Sequence, residues 1–197
     1  MSDPIDVRER IALCDLLLEL GPDAPTLCEG WTTADLAAHL VLREHFRRWS
    51  DAQRAAEKAK GFPTLVARLR EGAPLIPWRL PRIRDIFNGL EYFIHHEDVR
   101  RANGREPRAP IADLEALAWR MTGYGARRLA RAIRPYGVEL VRPDSERRRY
   151  GSGEMATLSG PATELILYLG GRRATAHVSL GGAADAAAAV RASTMTL

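Results

Sequence analysis

Leu90-Glu91-Tyr92-Phe93-Ile94-His95-His96-Glu97-Asp98-Val99 sets two histidines and three carboxylates among apolar residues of helical spacing. The apolar stripe Ile83, Ile86, Phe87, Leu90 and Ile94 predicts a helix from about Arg82 to about Asn103, with Asn103-Gly104 as its stop. At about 100° per residue, Glu91, His95 and Asp98 fall within about 60° of one another, immediately beside that stripe. Ionisable groups at a core margin must be paired or bound to a metal, because an unpaired buried charge is costly. Side chains four apart on a helix reach a common point, so Glu91 and His95 are candidate metal ligands. Asp98 is the candidate outer acceptor behind them, or an occasional fourth ligand. His96 projects about 100° from His95 and is expected at the exposed rim. Glu97 falls back towards the apolar stripe, and the sequence offers no reason for it.

A third ligand must come from elsewhere in the chain. Thr32-Thr33-Ala34-Asp35 has the form of an N-terminal cap, and a second helix is expected from about Thr33 to about Lys58. On it Leu36, His39, Leu40, Arg43 and Phe46 fall within about 120°, which turns His39 inward and His45 to the surface. Alone, His39 reads most simply as a core histidine bonded to a backbone carbonyl. With Glu91 and His95 it completes a His/Glu/His set that leaves room for water or substrate. Arg43, one turn further along, needs an anion, either a buried carboxylate or a substrate.

Glu29-Gly30-Trp31-Thr32-Thr33-Ala34-Asp35-Leu36-Ala37-Ala38-His39-Leu40 resembles the Gly-Trp-x-x-x-Asp-Leu-x-x-His signature of the mycothiol-dependent maleylpyruvate isomerase family, whose members are DinB-like four-helix bundles. Glu91 to Asp98 is similar to that family's Glu-x-x-x-His-x-x-Asp element. The resemblance implies metal roles for His39, Glu91 and His95. It also implies mycothiol, the low-molecular-weight thiol of actinobacteria, as co-substrate. The chemistry it implies is metal activation of the thiol as thiolate for attack on a small electrophile, in transfer or cis–trans isomerisation. Arg43 would orient a carboxylate there, and Asp98 would support the site. Two imidazoles and a carboxylate suit zinc, with nickel, iron or manganese as alternatives.

The rest of the chain bounds this reading. Prolines at 74, 77 and 81 preclude one helix between Gly61 and Pro81, so only Leu65 to Leu69 is expected helical there, with Trp78 as a lid or packing residue. Asp113 to Arg134 is a fourth helix, interrupted by Gly123 and Gly125 at a bend or a close helix approach. Beyond Pro135 the period changes to strand-like alternation. Strands are expected at 138–141, 154–158 and 174–180, and short helices at 162–169 and 183–192. The predicted fold is therefore mainly α with an α+β C-terminal part. Residues 1–135 would form the metal-binding bundle, and 136–197 a small sterol-carrier-like appendage.

A 46% hydrophobic, 27% charged composition is that of a globular protein. A net charge of +4, from 29 basic and 25 acidic residues, is too mild to argue for nucleic acid. The basic run Arg147 to Arg149 lacks interleaved aromatics and reads as a solvated hairpin or loop. Cys14 and Cys28 have no disulfide or C-x-x-C spacing and read as buried free thiols in a reducing cytosol. No apolar run approaches the roughly 18 residues of a membrane span. The expected setting is cytoplasmic, with no nucleic-acid or membrane partner and a homodimer only if the fourth helix exposes an apolar face. Two other functions fit the same ligands: a hydrolase using metal-bound water with Glu97 or Asp98 as base, and a non-catalytic module with a closed site.

Overall fold

The computed structural model describes residues 3–44, 50–72 and 88–194. Among these residues are eight helices and a four-stranded sheet, so the chain is mainly α with an α+β C-terminal part. Two compact units, Met1–Ala109 and Pro110–Leu197, make up the chain.

The first unit holds α1 (Ile5–Leu20), α2 (Thr33–Glu44), α3 (Asp51–Lys58), α4 (Phe62–Glu71) and α5 (Leu90–Ala102). Leu13 and Leu17 of α1, Leu36 and Leu40 of α2, Leu65 and Leu69 of α4, and Tyr92 and Val99 of α5 share one apolar core. The Thr32 hydroxyl donates to Asp35 at 2.9 Å, and the Asp35 carboxylate also accepts from the Thr32 backbone N–H. This box starts α2 where the sequence places it. A second box, Ser50 with Gln53, starts α3 as a separate helix. The single helix expected from Thr33 to Lys58 is therefore two elements, because Ser50 supplies a start signal that the apolar spacing conceals.

Apolar Val7, Ile11, Cys14, Leu17 and Leu18 predict a helix from Asp6 to Leu20, and the buried face of α1 differs from that stripe. Asp6, Glu9, Leu13, Leu16 and Leu17 face inward, whereas Ile11 and Leu18 are exposed. Leucines at 13, 16, 17 and 18 allow more than one apolar stripe, and the buried ion pair of Glu9 with Arg108 decides between them. His45, Phe46, Trp78 and the prolines at 74, 77 and 81 lie outside the described residues.

Glu44, at the end of α2, is 1% exposed, and among the described residues neither carboxylate oxygen has a hydrogen-bond partner. Burial pushes its carboxyl up to about 8, against the opposing charges of Arg10 and Arg43. The folded state thus holds this proton at pH values where the unfolded chain, ordinary at 4.5, has released it. Stability should fall as pH rises from about 4.5 to 8. Glu44→Gln, which cannot ionise, is expected to flatten that part of the Tm–pH curve, as calorimetry from pH 5 to 8 would show.

The second unit holds α6 (Ala112–Ala132), β1 (Gly137–Val141), β2 (Arg147–Tyr150), β3 (Met155–Ser159), α7 (Ala162–Leu169), β4 (Ser179–Gly182) and α8 (Ala184–Ala192). The strand order is β2-β1-β3-β4; β1 and β3 run parallel, and both outer pairs are antiparallel. Val138, Leu140, Ala156 and Leu158 alternate inward to the core. On the other face Glu139 accepts from Arg149 at 2.8 Å and from Arg147 at 3.4 Å. Arg148 donates to the Trp119 carbonyl and lies 4.3 Å over its ring. The basic run is a strand with structural partners for all three arginines.

α6, assigned from sequence to the first domain, packs against α7 and the sheet within the second unit. Glu115 of α6 accepts from the backbone N–H groups of Ala162 and Thr163 at 2.6 and 3.2 Å, filling the open N-terminus of α7. Gly125 is where the two helices approach closely, since a Cβ there would lie 2.8 Å from Leu169 Cβ. Gly125→Ala is expected to cost about 1–3 kcal/mol by overpacking, read as a lower midpoint in urea unfolding. The strand expected at 174–180 begins five residues later, at Ser179, because residues 172–176 turn under backbone bonds from Thr175 and Ala176 to Arg172.

Candidate metal centre

α2 and α5 bring His39, Glu91 and His95 together. One ligand atom from each lies within 4.8 Å of the others. Glu91 Oε1 is 3.8 Å from His39 Nε2 and 3.4 Å from His95 Nε2, and the two imidazoles meet edge to face at 5.7 Å. The one-turn spacing of Glu91 and His95 on α5 makes the pair, and the inward face of α2 supplies His39.

Arg43 is 9% exposed, and its Nε lies 3.3 Å from Glu91 Oε1 while Nη1 donates to Asn88 Oδ1 at 2.9 Å. Its anion is thus a half-buried carboxylate of the chain itself. Burial alone would raise the Glu91 carboxyl. Hydrogen bonding to His39 and His95 and the charge of Arg43 outweigh it and hold the group well below the usual carboxylate range. Glu91 is therefore an anion across the ordinary pH range.

Behind His95, Nδ1 is 3.0 Å from Asp98 Oδ2, and Asp98 is fully buried. Nδ1 donates there while Nε2 faces Glu91 and His39. Burial lowers the imidazole pKa, but hydrogen bonding to Asp98, Cys28 and Glu91 outweighs it and raises the group well above its ordinary value, so Nε2 carries a proton that a bound cation would displace. Cys28 Sγ donates to the same Asp98 oxygen at 3.4 Å and sits 3.8 Å from His95 Nδ1. Cys28 is only half-buried, and the reading of it as an inert buried thiol missed this contact. The loop before α2 positions it: Leu27 N–H donates to the Asp98 carbonyl, and Asn103 Nδ2 donates to the Pro25 carbonyl. A loop of fixed length directly before the His39 helix was the available signal, but only its closure onto α5 reveals the partner. Trp31, from the same loop, lies 5.1 Å from the His39 ring and carries Arg54 4.5 Å above its own.

Two neighbours differ from the sequence reading. His96 is buried at 5% exposure, with Nδ1 3.5 Å from Glu9 Oε2. Its outward projection from His95 leads into α1, not to solvent. Glu97 accepts from Arg101 at 2.8 Å and Arg108 at 2.7 Å, which explains a carboxylate on the apolar side of α5.

A helical unit that turns two imidazoles and a carboxylate to one point defines a protein with a candidate divalent-cation centre. The chain matches the mycothiol maleylpyruvate isomerase N-terminal domain family over residues 7–149, well over half its length, and belongs to that family. Its fold is shared with a crystal structure of the mycothiol-dependent maleylpyruvate isomerase carrying a histidine-to-alanine substitution, at 19% identity and TM-score 0.58. A crystal structure of the mycothiol-dependent maleylpyruvate isomerase without that description gives 18% and 0.52. Each similarity covers 90% of this chain and 90% of the other. No curated protein matches the chain. Among the described residues, no helix is long and apolar enough to cross a membrane.

Proposed function

We propose that the chain is a thiol-dependent isomerase or transferase that uses mycothiol, with His39, Glu91 and His95 holding a divalent cation, zinc by preference. The observation that carries this reading is the convergence of those three donors in a chain of this family. The donor set suits the ion: two imidazole nitrogens, one carboxylate, and a further carboxylate, Asp98, already holding His95 through Nδ1. A bound cation of this kind lowers the pKa of a thiol that reaches its open position, supplying thiolate at neutral pH.

The chain's own groups set up the rest. Asp98 fixes His95 through Nδ1, and Cys28 fixes Asp98. Arg43 keeps Glu91 anionic and oriented, and its guanidinium is the positive group beside the centre towards which an anionic electrophile would turn its carboxylate. In an isomerisation the thiolate carbon–sulfur bond forms as the substrate double bond becomes single. Rotation follows, and expulsion of the same thiolate restores the double bond in the other geometry. No atom is lost and no redox partner is needed. The hydrolase alternative needs a free carboxylate base, whereas Glu97 is held by Arg101 and Arg108, and Asp98 by His95 and Cys28.

Titration of metal-loaded protein with mycothiol, followed by proton release in weakly buffered solution, tests the proposal. Saturable binding with release of about one proton per thiol is expected. Absence of binding would overturn it. A smaller effect is expected behind the centre. Cys28→Ala should weaken metal affinity by about 10–100-fold, the usual cost of losing an outer hydrogen bond. Cys28→Ser, which keeps a donor to Asp98, should stay within several-fold of the parent protein in competition with a chromophoric chelator.

A further inference from the structure

Gly151-Ser152-Gly153 is a glycine turn that lacks the spacing of a nucleotide fingerprint, and the centre described above makes no use of it. In the second unit it closes one side of a cavity of about 200 Å³, lined by Arg127, Ala130, Arg131, Arg134, Tyr136, Gly151 and Ser152. The glycines are required by geometry. Gly151 and Gly153 have φ of +85° and +75°, and a Cβ on Gly153 would meet the Pro135 carbonyl oxygen at 2.7 Å. The turn can lie against residues 135–137 only without side chains, and that close approach brings Ser152 opposite the end of α6.

Arg127, Arg131 and Arg134 follow one another at intervals of four and three residues, so they rise from one face of α6 and its C-terminal extension. Arg127 lies 5.4 Å from the Tyr150 ring. Arg131 and Arg134 have neither a hydrogen bond nor an ion pair among the described residues, and no carboxylate lines the cavity. Arg142, by contrast, is tied down by Asp144 and Glu146, and Arg173 by Val190 and Ser193. The helix dipole explains a cation in the last turn of α6. It does not explain three of them gathered with Ser152 and Tyr136 round one cavity.

We infer that this cavity is an anion site for a phosphate group, free or carried by a small organic monoester. Guanidinium forks match phosphate oxygens in pairs, and hydroxyls supply further donors. The cavity lies below the roughly 300–1,000 Å³ of ordinary ligand pockets, which suits a phosphate with few further atoms. The site is independent of the candidate metal centre.

Calorimetric titration of the full chain with inorganic phosphate and with phenyl phosphate, at constant ionic strength set with chloride, tests the inference. Saturable binding of one equivalent is expected. Tighter binding of phenyl phosphate identifies a monoester site, and tighter binding of phosphate a free-anion site. Arg131→Gln and Arg134→Gln should each weaken binding about tenfold, the worth of a charge-assisted hydrogen bond. Both residues are exposed, so the variants should keep the parent Tm. Arg120→Gln removes the same charge from an exposed position of α6 outside the lining and should leave affinity unchanged. Heat that chloride reproduces, equal binding of malonate, or equal loss in the Arg120 variant would overturn the assignment.

Discussion

Replacing His39 or His95 with alanine is expected to lower affinity for a divalent cation by more than about a hundredfold, beyond the ~10–100-fold typical of outer groups. Each substitution removes one of three donors, and what remains cannot enclose an ion. The two should differ in the protein without metal. His39 Nε2 is 3.8 Å from Glu91, so its loss removes a weak contact. His95 is bonded on both sides, at 3.0 Å to Asp98 and 3.4 Å to Glu91, and its loss takes the imidazole donor from the fully buried Asp98 carboxylate. His95→Ala should therefore lower the metal-free Tm more than His39→Ala does. Glu91→Gln keeps the shape but removes the charge that Arg43 faces at 3.3 Å, and should lose metal with a modest loss of stability. Metal content after dialysis, measured by mass spectrometry beside Tm without metal, checks all three. Unchanged stoichiometry in every variant would end the metal reading.

The parts of the site legible in the sequence are those that depend on spacing within one helix. Glu91 and His95 share a point because four residues make one turn, and Asp98 reaches His95 because three residues nearly do. The inward setting of His39 and Arg43 followed from Leu36 and Leu40 on the same stripe. What stayed hidden depends on contacts between elements. Cys28 has no periodicity to reveal it, because its role comes from a loop that folds back on α5. His96 was misread and Glu97 left unexplained for the same reason: their partners, Glu9 and Arg108, lie on α1 and beyond the end of α5. At the level of fold, periodicity recovered the bounds of α1 and α7, and turn glycines recovered the loops. It did not divide α2 from α3, where Ser50 outweighs an apolar pattern, nor place α6, whose company is set by Glu115 and Gly125.

Arg108→Ala should be the most destabilising single substitution in the first unit away from the centre. Its guanidinium donates to both oxygens of Glu9, at 3.1 and 2.9 Å, and its Nε donates to Glu97 at 2.7 Å. Glu9 is 2% and Glu97 1% exposed. Glu97 retains Arg101 in the variant, but Glu9 is left with His96 at 3.5 Å, a poor hydrogen-bond distance. Removing one partner of a buried ion pair costs about 3–5 kcal/mol, because the other charge stays desolvated. In a chain of this size that lowers Tm by roughly 10 °C. Arg108→Lys keeps the charge without the two-pronged fit to Glu9, and its loss should be intermediate. The pH dependence gives the effect a sign. Burial raises the Glu9 carboxyl, but hydrogen bonding to His96 and Arg108 and the Arg108 charge outweigh it, so it titrates below its ordinary value of 4.5. A depressed carboxyl contributes stability that is fully present above the unfolded value and is lost as pH falls through the folded one. The difference in Tm between parent and Arg108→Ala should therefore be largest above about pH 5 and shrink on acidification towards pH 3. A difference independent of pH would show that Arg108 stabilises through its packing over Phe93, 5.3 Å away, and not through Glu9.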